Sequence, residues 1–344
     1  MRLLLRERAR KGTVPFLAPA RAFHEGLPGY AVTPLHAAPA LAEAWDVGRV
    51  WLKDETSRLG LPAFKVLGAS WAAQRALAAR DPAATTLVTA SAGNHGRAVA
   101  HVASLLGARA RVLVPAGTVP ARIDAIAGEG AEVEETAGDY DAAVAQAAEL
   151  AAREPGHLLL QDTAWAGYEE IPGWIVDGYR TLFAELRDQL AAAGAQPGLV
   201  LLPVGVGSLA TAGVRAFEAT EAAIVSVEPE GAACLLESLA AGAPVTLPAP
   251  HSIMAGLTCG TVSSSAWPVL RDGLDGALAV SDDAARAGIE TLRGLGIAAG
   301  ECSGGSVGAA AELLTGPARE QSGASERSEV VLLLTEGVTG GARA

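Results

Sequence analysis

Short apolar runs rich in Val and Leu alternate along the chain with longer stretches whose apolar residues recur every three to four positions. The runs predict strands over 50–53, 86–89, 111–114, 132–135, 157–160, 199–203, 223–228 and 329–335. The periodic stretches predict helices over 66–79, 96–106, 121–128, 140–153, 174–193 and 209–219, with Asp139 and Ser281 as N-caps. Alternation of this kind predicts an α/β fold on mainly parallel sheets. Four of the strands and their helices fall within 85–160. They predict a compact unit inserted in a larger one built from both ends of the chain. Residues 241–280, rich in Pro, Gly and Ser, are expected as ordered loops, and 316–328 as an exposed helix end and turn.

Composition narrows the function class. The 344 residues are 50% hydrophobic and 19% charged, enough to bury a sizeable core in one large domain or two. The 26 basic and 38 acidic side chains leave a net charge of −12, the wrong sign for a nucleic-acid or anionic-membrane partner. No apolar run is long enough to cross a bilayer, and no N-terminal stretch has the apolar length of a signal peptide. Cys234, Cys259 and Cys302 make neither a disulfide framework nor a zinc-ligand spacing, so a reducing cytoplasm is the expected compartment. Cys259 and Cys302 are expected as small fillers rather than a functional pair.

Three stretches carry candidate chemistry. Gly205-Val206-Gly207-Ser208 follows the 199–203 run and precedes a helix, the arrangement that binds a phosphate through backbone N–H groups and the helix dipole. On this stretch alone a dinucleotide site competes, with Ala210 at its third small position and Glu228 as the ribose-binding acid. Ser91-Ala92-Gly93-Asn94-His95-Gly96 makes a second strand-to-helix turn, able to bind a substrate carboxylate or simply to be N-capped by Ser91 or Asn94. Lys65, flanked by Phe64, Val66 and Leu67, is either a snorkelling surface lysine or a desolvated amine that forms a Schiff base and then serves as a proton base. Asp162 follows the predicted 157–160 strand, either as the N-cap of the stretch after it or as a catalytic candidate beside Lys65 that binds a cationic group or relays a proton. Thr335 ends the last strand, where its hydroxyl can meet a neutral ring nitrogen.

In this order the motifs resemble fold-type II pyridoxal-phosphate enzymes, the tryptophan synthase β/threonine dehydratase superfamily, and more narrowly the diaminopropionate ammonia-lyases. The likeness rests on Thr33-Pro34-Leu35, Lys53-Asp54-Glu55, Ala63 to Gly68, Gly93 to Arg97, Gln161 to Trp165 with Gly167-Tyr168, Gly205 to Ser208, Met254 to Leu257, and Thr335 to Gly337. The resemblance implies two doubly wound parallel-sheet domains, 1–68 with 176–344 and 69–175, holding pyridoxal 5′-phosphate in the cleft between them. It implies that Lys65 carries the cofactor beside Phe64, Asn94 meets its ring oxygen, Gly205, Val206, Gly207 and Ser208 hold its phosphate, and Thr335 faces its ring nitrogen. Ser91, Ala92, Gly93 and His95 would take the substrate carboxylate, and Asp162 the distal amine. The implied reaction is β-elimination of ammonia from 2,3-diaminopropionate by a homodimer. Serine/threonine dehydration or β-replacement is the nearer alternative, and nicotinamide-dependent oxidoreduction the more distant one. One position departs from the family: Ala92 stands where an aspartate usually precedes Gly-Asn-His-Gly and is held to act as base on the D-isomer. Lys65 is then the sole Cα base, and the L-isomer the expected substrate.

Overall fold

The computed structural model describes residues 1–6 and 16–339. Its chain runs β1 (Arg2–Leu5), α1 (Arg21–Glu25), β2 (Leu35–Ala37), α2 (Pro39–Ala44), β3 (Arg49–Asp54), α3 (Lys65–Leu77), β4 (Thr86–Ala90), α4 (Asn94–Leu106), β5 (Arg109–Pro115), α5 (Pro120–Ala127), β6 (Glu132–Thr136), α6 (Tyr140–Arg153) and β7 (His157–Leu159). It continues α7 (Glu170–Ala192), β8 (Leu199–Pro203), α8 (Ser208–Phe217), β9 (Ala223–Pro229), α9 (Cys234–Ala241), α10 (Trp267–Gly273), β10 (Gly276–Val280), α11 (Asp282–Gly294), α12 (Glu301–Thr315), α13 (Arg319–Ser322) and β11 (Glu329–Leu334). Asp139 and Ser281 cap α6 and α11 as expected, accepting from the N–H groups of Ala142 at 3.0 Å and Ala284 at 3.1 Å.

A seven-stranded sheet in the order β1-β10-β9-β8-β11-β3-β2 is parallel except for its antiparallel edges β1 and β2. A four-stranded sheet, β6-β5-β4-β7, is wholly parallel and comes from one continuous stretch of chain. Strands β4, β8 and β10 are buried along their whole length. Helices cover both faces of a parallel sheet, which is why these strands read as unbroken apolar runs rather than as alternations. No helix among the described residues is long and apolar enough to cross a membrane.

The structure adds elements that the pattern missed. Strands β1 and β2 are short edges of four and three residues. The stretch expected as loops contains α10 and β10. Helix α12 was masked by its glycines, which its packing requires: a Cβ at Gly308 or Gly288 would strike the backbone of Ala284 or Gly304, so α11 and α12 touch backbone to backbone.

The same device seats α3, which begins at Lys65. A Cβ on Gly178 of α7 would lie 2.7 Å from Gly68 Cα, and one on Gly68 2.7 Å from Ile175 Cγ2. Gly178→Ala therefore forces the two helices apart. It is expected to destabilise the fold by about 1–3 kcal/mol, read from denaturant unfolding.

A second anchor is a buried ionic cluster. Arg58 bonds Glu55 at 2.6 Å and Glu185 at 2.7 Å, and Lys53 bonds Glu185 at 3.1 Å, with all four side chains fully buried. Tyr30 and Thr33 donate into the same cluster. It ties the Pro28–Pro34 region to α7 and to the loop that leads into α3.

Candidate active site

The parallel strands β4, β7, β8 and β11 end around one cavity of about 300 Å³. Ligands gather at such ends because the following loops and helix N-termini converge there. The cavity is lined by the residues that the resemblance assigns to the site: Phe64, Lys65, the 91–95 turn, Asp162, the 205–208 turn and Thr335.

Lys65 is the first residue of α3, so the helix fixes its Cα while the side chain reaches the cavity. Its Nζ lies 2.6 Å from Asp162 Oδ2 and 5.5 Å from the centre of the Phe64 ring. Burial works to lower the pKa of the amine, but the Asp162 carboxylate, with smaller contributions from Tyr179 and Cys259, outweighs it and the net direction is upward. For Asp162, burial alone would raise the carboxyl; His95 and Lys65 reverse this and hold it well below the usual carboxylate range. The pair is thus an ammonium and a carboxylate. Asp162 caps no helix, since α7 begins only at Glu170.

His95 is buried and its pKa is lowered, chiefly by that burial. Its Nε2–H donates to the Leu160 carbonyl at 2.9 Å, which fixes the tautomer. Nδ1 has no hydrogen-bond partner and sits 3.9 Å from Asp162 Oδ2. Gln161 locks the ends of β4 and β7 together: its Oε1 accepts from Thr89 Oγ1 at 2.8 Å and from the Ala90 N–H at 3.0 Å. Its Nε2 donates to Tyr140 Oη at 3.0 Å, which leaves the Tyr140 hydroxyl proton available to the cavity.

No side chain caps α4, so neither Ser91 nor Asn94 is an N-cap. Ser91 Oγ instead accepts from the Gly93 N–H at 3.2 Å. Gly96 is required there, because a Cβ would collide with the Ser91 carbonyl. Asn94 donates from Nδ2 to Glu336 Oε2 at 2.6 Å.

The 205–208 turn is a cradle that side chains would close. A Cβ on Gly205 would lie 3.0 Å from the Gly256 carbonyl, and Gly207 has φ +100° with Leu270 2.8 Å from its Cβ position. No side chain caps α8, so the N–H groups of its first turn remain open to an anion. Ser208 Oγ is not part of that cradle; it donates to the Asp162 carbonyl at 2.9 Å and joins the turn to the β7 loop.

Thr335 Oγ1 is buried and has no hydrogen-bond partner. An open anion cradle, a lysine at the cavity and an unpartnered hydroxyl at the end of β11 suit a phosphorylated pyridine aldehyde. Glu228 does not face this cavity as a ribose ligand. It accepts the N–H groups of Leu235 at 2.7 Å and Leu236 at 2.8 Å, and burial pushes it up to about 8.

Residues that the sequence reading did not assign to the site also line it: Tyr140, Arg97, Arg122, Cys259, Cys302 and Glu336. Arg97 and Glu336 carried a local signal, as the last residue of the Gly93 to Arg97 motif and as the residue after Thr335. The three cysteines are free, and burial raises the Cys259 thiol to about 12.

The family model for pyridoxal-phosphate dependent enzymes matches residues 27–336. The diaminopropionate ammonia-lyase of Salmonella typhimurium is 40% identical over 283 residues, covering 73% of this chain and 69% of that protein. The L-threonine dehydratase of Escherichia coli is 32% identical over 264 residues, covering 76% of this chain and 48% of that protein. The crystal structure of the Escherichia coli diaminopropionate ammonia-lyase, in complex with an aminoacrylate–pyridoxal-phosphate azomethine intermediate, superposes with a TM-score of 0.90 at 32% identity. It covers 98% of this chain and 94% of that one. These matches remove the nicotinamide alternative. The chain belongs to the pyridoxal-phosphate-dependent enzymes of fold type II, among relatives that include the diaminopropionate ammonia-lyases.

Proposed function

We propose that the protein is a pyridoxal-phosphate-dependent ammonia-lyase that eliminates ammonia from L-2,3-diaminopropionate, yielding pyruvate and ammonia. One observation carries the choice of substrate. Asp162 is a buried carboxylate whose full-charge partner is Lys65. Once Lys65 is committed to the cofactor, Asp162 needs another cation, because an unpaired buried charge is costly. A β-ammonium supplies it; the hydroxyl of serine or threonine does not.

The roles follow from chemistry and position. Lys65 holds the cofactor and, when released, takes the Cα proton. Phe64 lies against it. The N–H groups of the 205–208 turn hold the phosphate, Thr335 meets the ring nitrogen and Asn94 the ring oxygen. Bound there, the cofactor supplies the electron sink that acidifies the Cα–H. Ser91, Ala92, Gly93 and His95 hold the α-carboxylate, which fixes Cα over Lys65. Asp162 holds the β-ammonium, already protonated and able to leave as ammonia. The aminoacrylate set free hydrolyses in water to pyruvate and a second ammonia.

Residues 1–68 with 176–344 form the larger domain in this reading, and 69–175 the smaller one that carries the carboxylate turn. The working form is a homodimer, in keeping with the prevalence of two-fold oligomers. Three free cysteines suit a cytoplasmic setting.

Ala92 favours a dehydratase-like side activity, since Ser91-Ala92-Gly93-Asn94 is similar to the serine/threonine dehydratase turn. It also removes the acid expected to serve the D-isomer. Holoenzyme assayed on L- and D-diaminopropionate is expected to turn over the D-isomer at least about 100-fold more slowly, the low end of what one general base contributes. Ala92→Asp should narrow that gap. Comparable rates on both isomers in the unmodified enzyme would refute Lys65 as the sole Cα base.

A further inference from the structure

Glu336 is more tightly held than a neighbour of the site needs to be. Its N–H donates to Ser303 Oγ at 3.0 Å, and its carbonyl accepts from Ser303 Oγ at 2.8 Å and from the Gly300 N–H at 3.0 Å. A bridge to Ala63 joins it to the loop that leads into α3 and Lys65. A Cβ on Gly300 would lie 3.0 Å from Glu336 Cγ, so the slot for the side chain exists only because residue 300 has none.

The carboxylate at the end of this pinned chain is buried and receives two donors from different elements. Oε1 accepts the Cys302 N–H at 3.1 Å, at the start of α12. Oε2 accepts Asn94 Nδ2 at 2.6 Å, at the start of α4. Only a carboxylate satisfies both, because an amide has one accepting end and would turn its NH2 toward one of the donors. Burial pushes the carboxyl upward in pKa, and the bonds from Cys302 and Asn94 oppose that. The mechanism above gives Glu336 no part.

The consequence falls on Asn94. The two ends of an asparagine amide have similar shapes and opposite hydrogen-bonding sense, so an unrestrained Asn94 can present either to the cavity. Accepting Nδ2–H at Oε2 holds the nitrogen end in place and uses one of its two hydrogens. We propose that Glu336 is a positioning residue that orients the Asn94 amide, so that the second Nδ2–H is always presented to the cofactor's ring oxygen. The inference rests on the role given to Asn94 above.

The test uses holoenzyme of the unmodified protein, Glu336→Gln, Asn94→Ala and the double variant. Two quantities are read: the dissociation constant of pyridoxal 5′-phosphate, and the pH midpoint of the bound cofactor's visible absorption band. Loss of one donor to the ring oxygen should weaken binding by roughly 10-fold in Asn94→Ala, as expected for a hydrogen bond of about 1.4 kcal/mol. E336Q should weaken it in the same direction, move the absorption midpoint the same way as N94A, and add little in the N94A background. An E336Q effect that adds fully to that of N94A, or an unmoved midpoint in E336Q alongside a moved one in N94A, overturns the inference and leaves the Asn94 role standing. An unmoved midpoint and unchanged affinity in N94A overturn both. Should E336Q fail to fold, Glu336→Asp carries the same test: it keeps the charge but is one methylene too short to reach both donors.

Discussion

Lys65→Ala is expected to lower kcat by on the order of 10^4–10^6-fold, since in the proposed mechanism one side chain both holds the cofactor and moves the Cα proton, and groups that act as a unit are lost together. The assay is ammonia release from L-diaminopropionate with excess cofactor. The substitution also strips Asp162 of its ammonium. In the cofactor-free protein it should cost about 3 kcal/mol of unfolding free energy, the range for breaking a buried pair. Lys65→Arg separates the two effects. A guanidinium keeps the charge opposite Asp162 but cannot form the imine, so stability should return while activity does not. The pH dependence has a definite sign. Asp162 is depressed in the fold, so its contribution is present above its unfolded pKa and is lost as pH falls below it. Lys65→Ala should flatten that acid limb.

Asp162→Asn is expected to change preference rather than abolish chemistry. The amide keeps the shape and loses the charge proposed to pair with the β-ammonium. For L-diaminopropionate kcat/KM should fall by on the order of 10²–10³-fold, the scale of about 3–4 kcal/mol lost on breaking a buried charge pair. For L-serine, whose β-hydroxyl brings no charge, the loss should stay within about 10-fold, the scale of one neutral hydrogen bond. Parallel losses on both substrates would mean that Asp162 acts only by orienting Lys65.

The parts of the site that read clearly in the sequence are those whose chemistry is local. Gly205 to Ser208 sits between an apolar strand and a helix, and the structure puts that turn at the end of β8 with an uncapped α8 behind it. Gly93 to Gly96 reads the same way after β4. What did not read is what the backbone cannot announce. Ser208 resembles a phosphate ligand, yet its hydroxyl turns to the Asp162 carbonyl, 46 positions away. Asn94 meets Glu336 across 242 positions, and nothing near either residue signals the other. Glu228 stands at the right distance for a ribose ligand because β9 runs into α9, and its carboxylate is spent on the N–H groups of that helix. The same limit applies to the fold. The predicted strands lie within a residue or two of their observed ends, while the edge strands β1 and β2 are too short to show a pattern and the buried β10 lies in a stretch whose Pro, Gly and Ser read as loops. Helix α12 lacked a recognisable apolar stripe because the glycines that let it approach α11 replace the side chains that would have formed one.

In the proposed reaction a β-ammonium, recognised by Asp162, is the leaving group. The most direct test is the stoichiometry of products from L-diaminopropionate and holoenzyme, with ammonia and pyruvate measured in the same reaction. Two molecules of ammonia are expected for each pyruvate, together with a kcat/KM well above that on L-serine. Pyruvate formed faster from L-serine, or no pyruvate from L-diaminopropionate in cofactor-saturated enzyme, would contradict it.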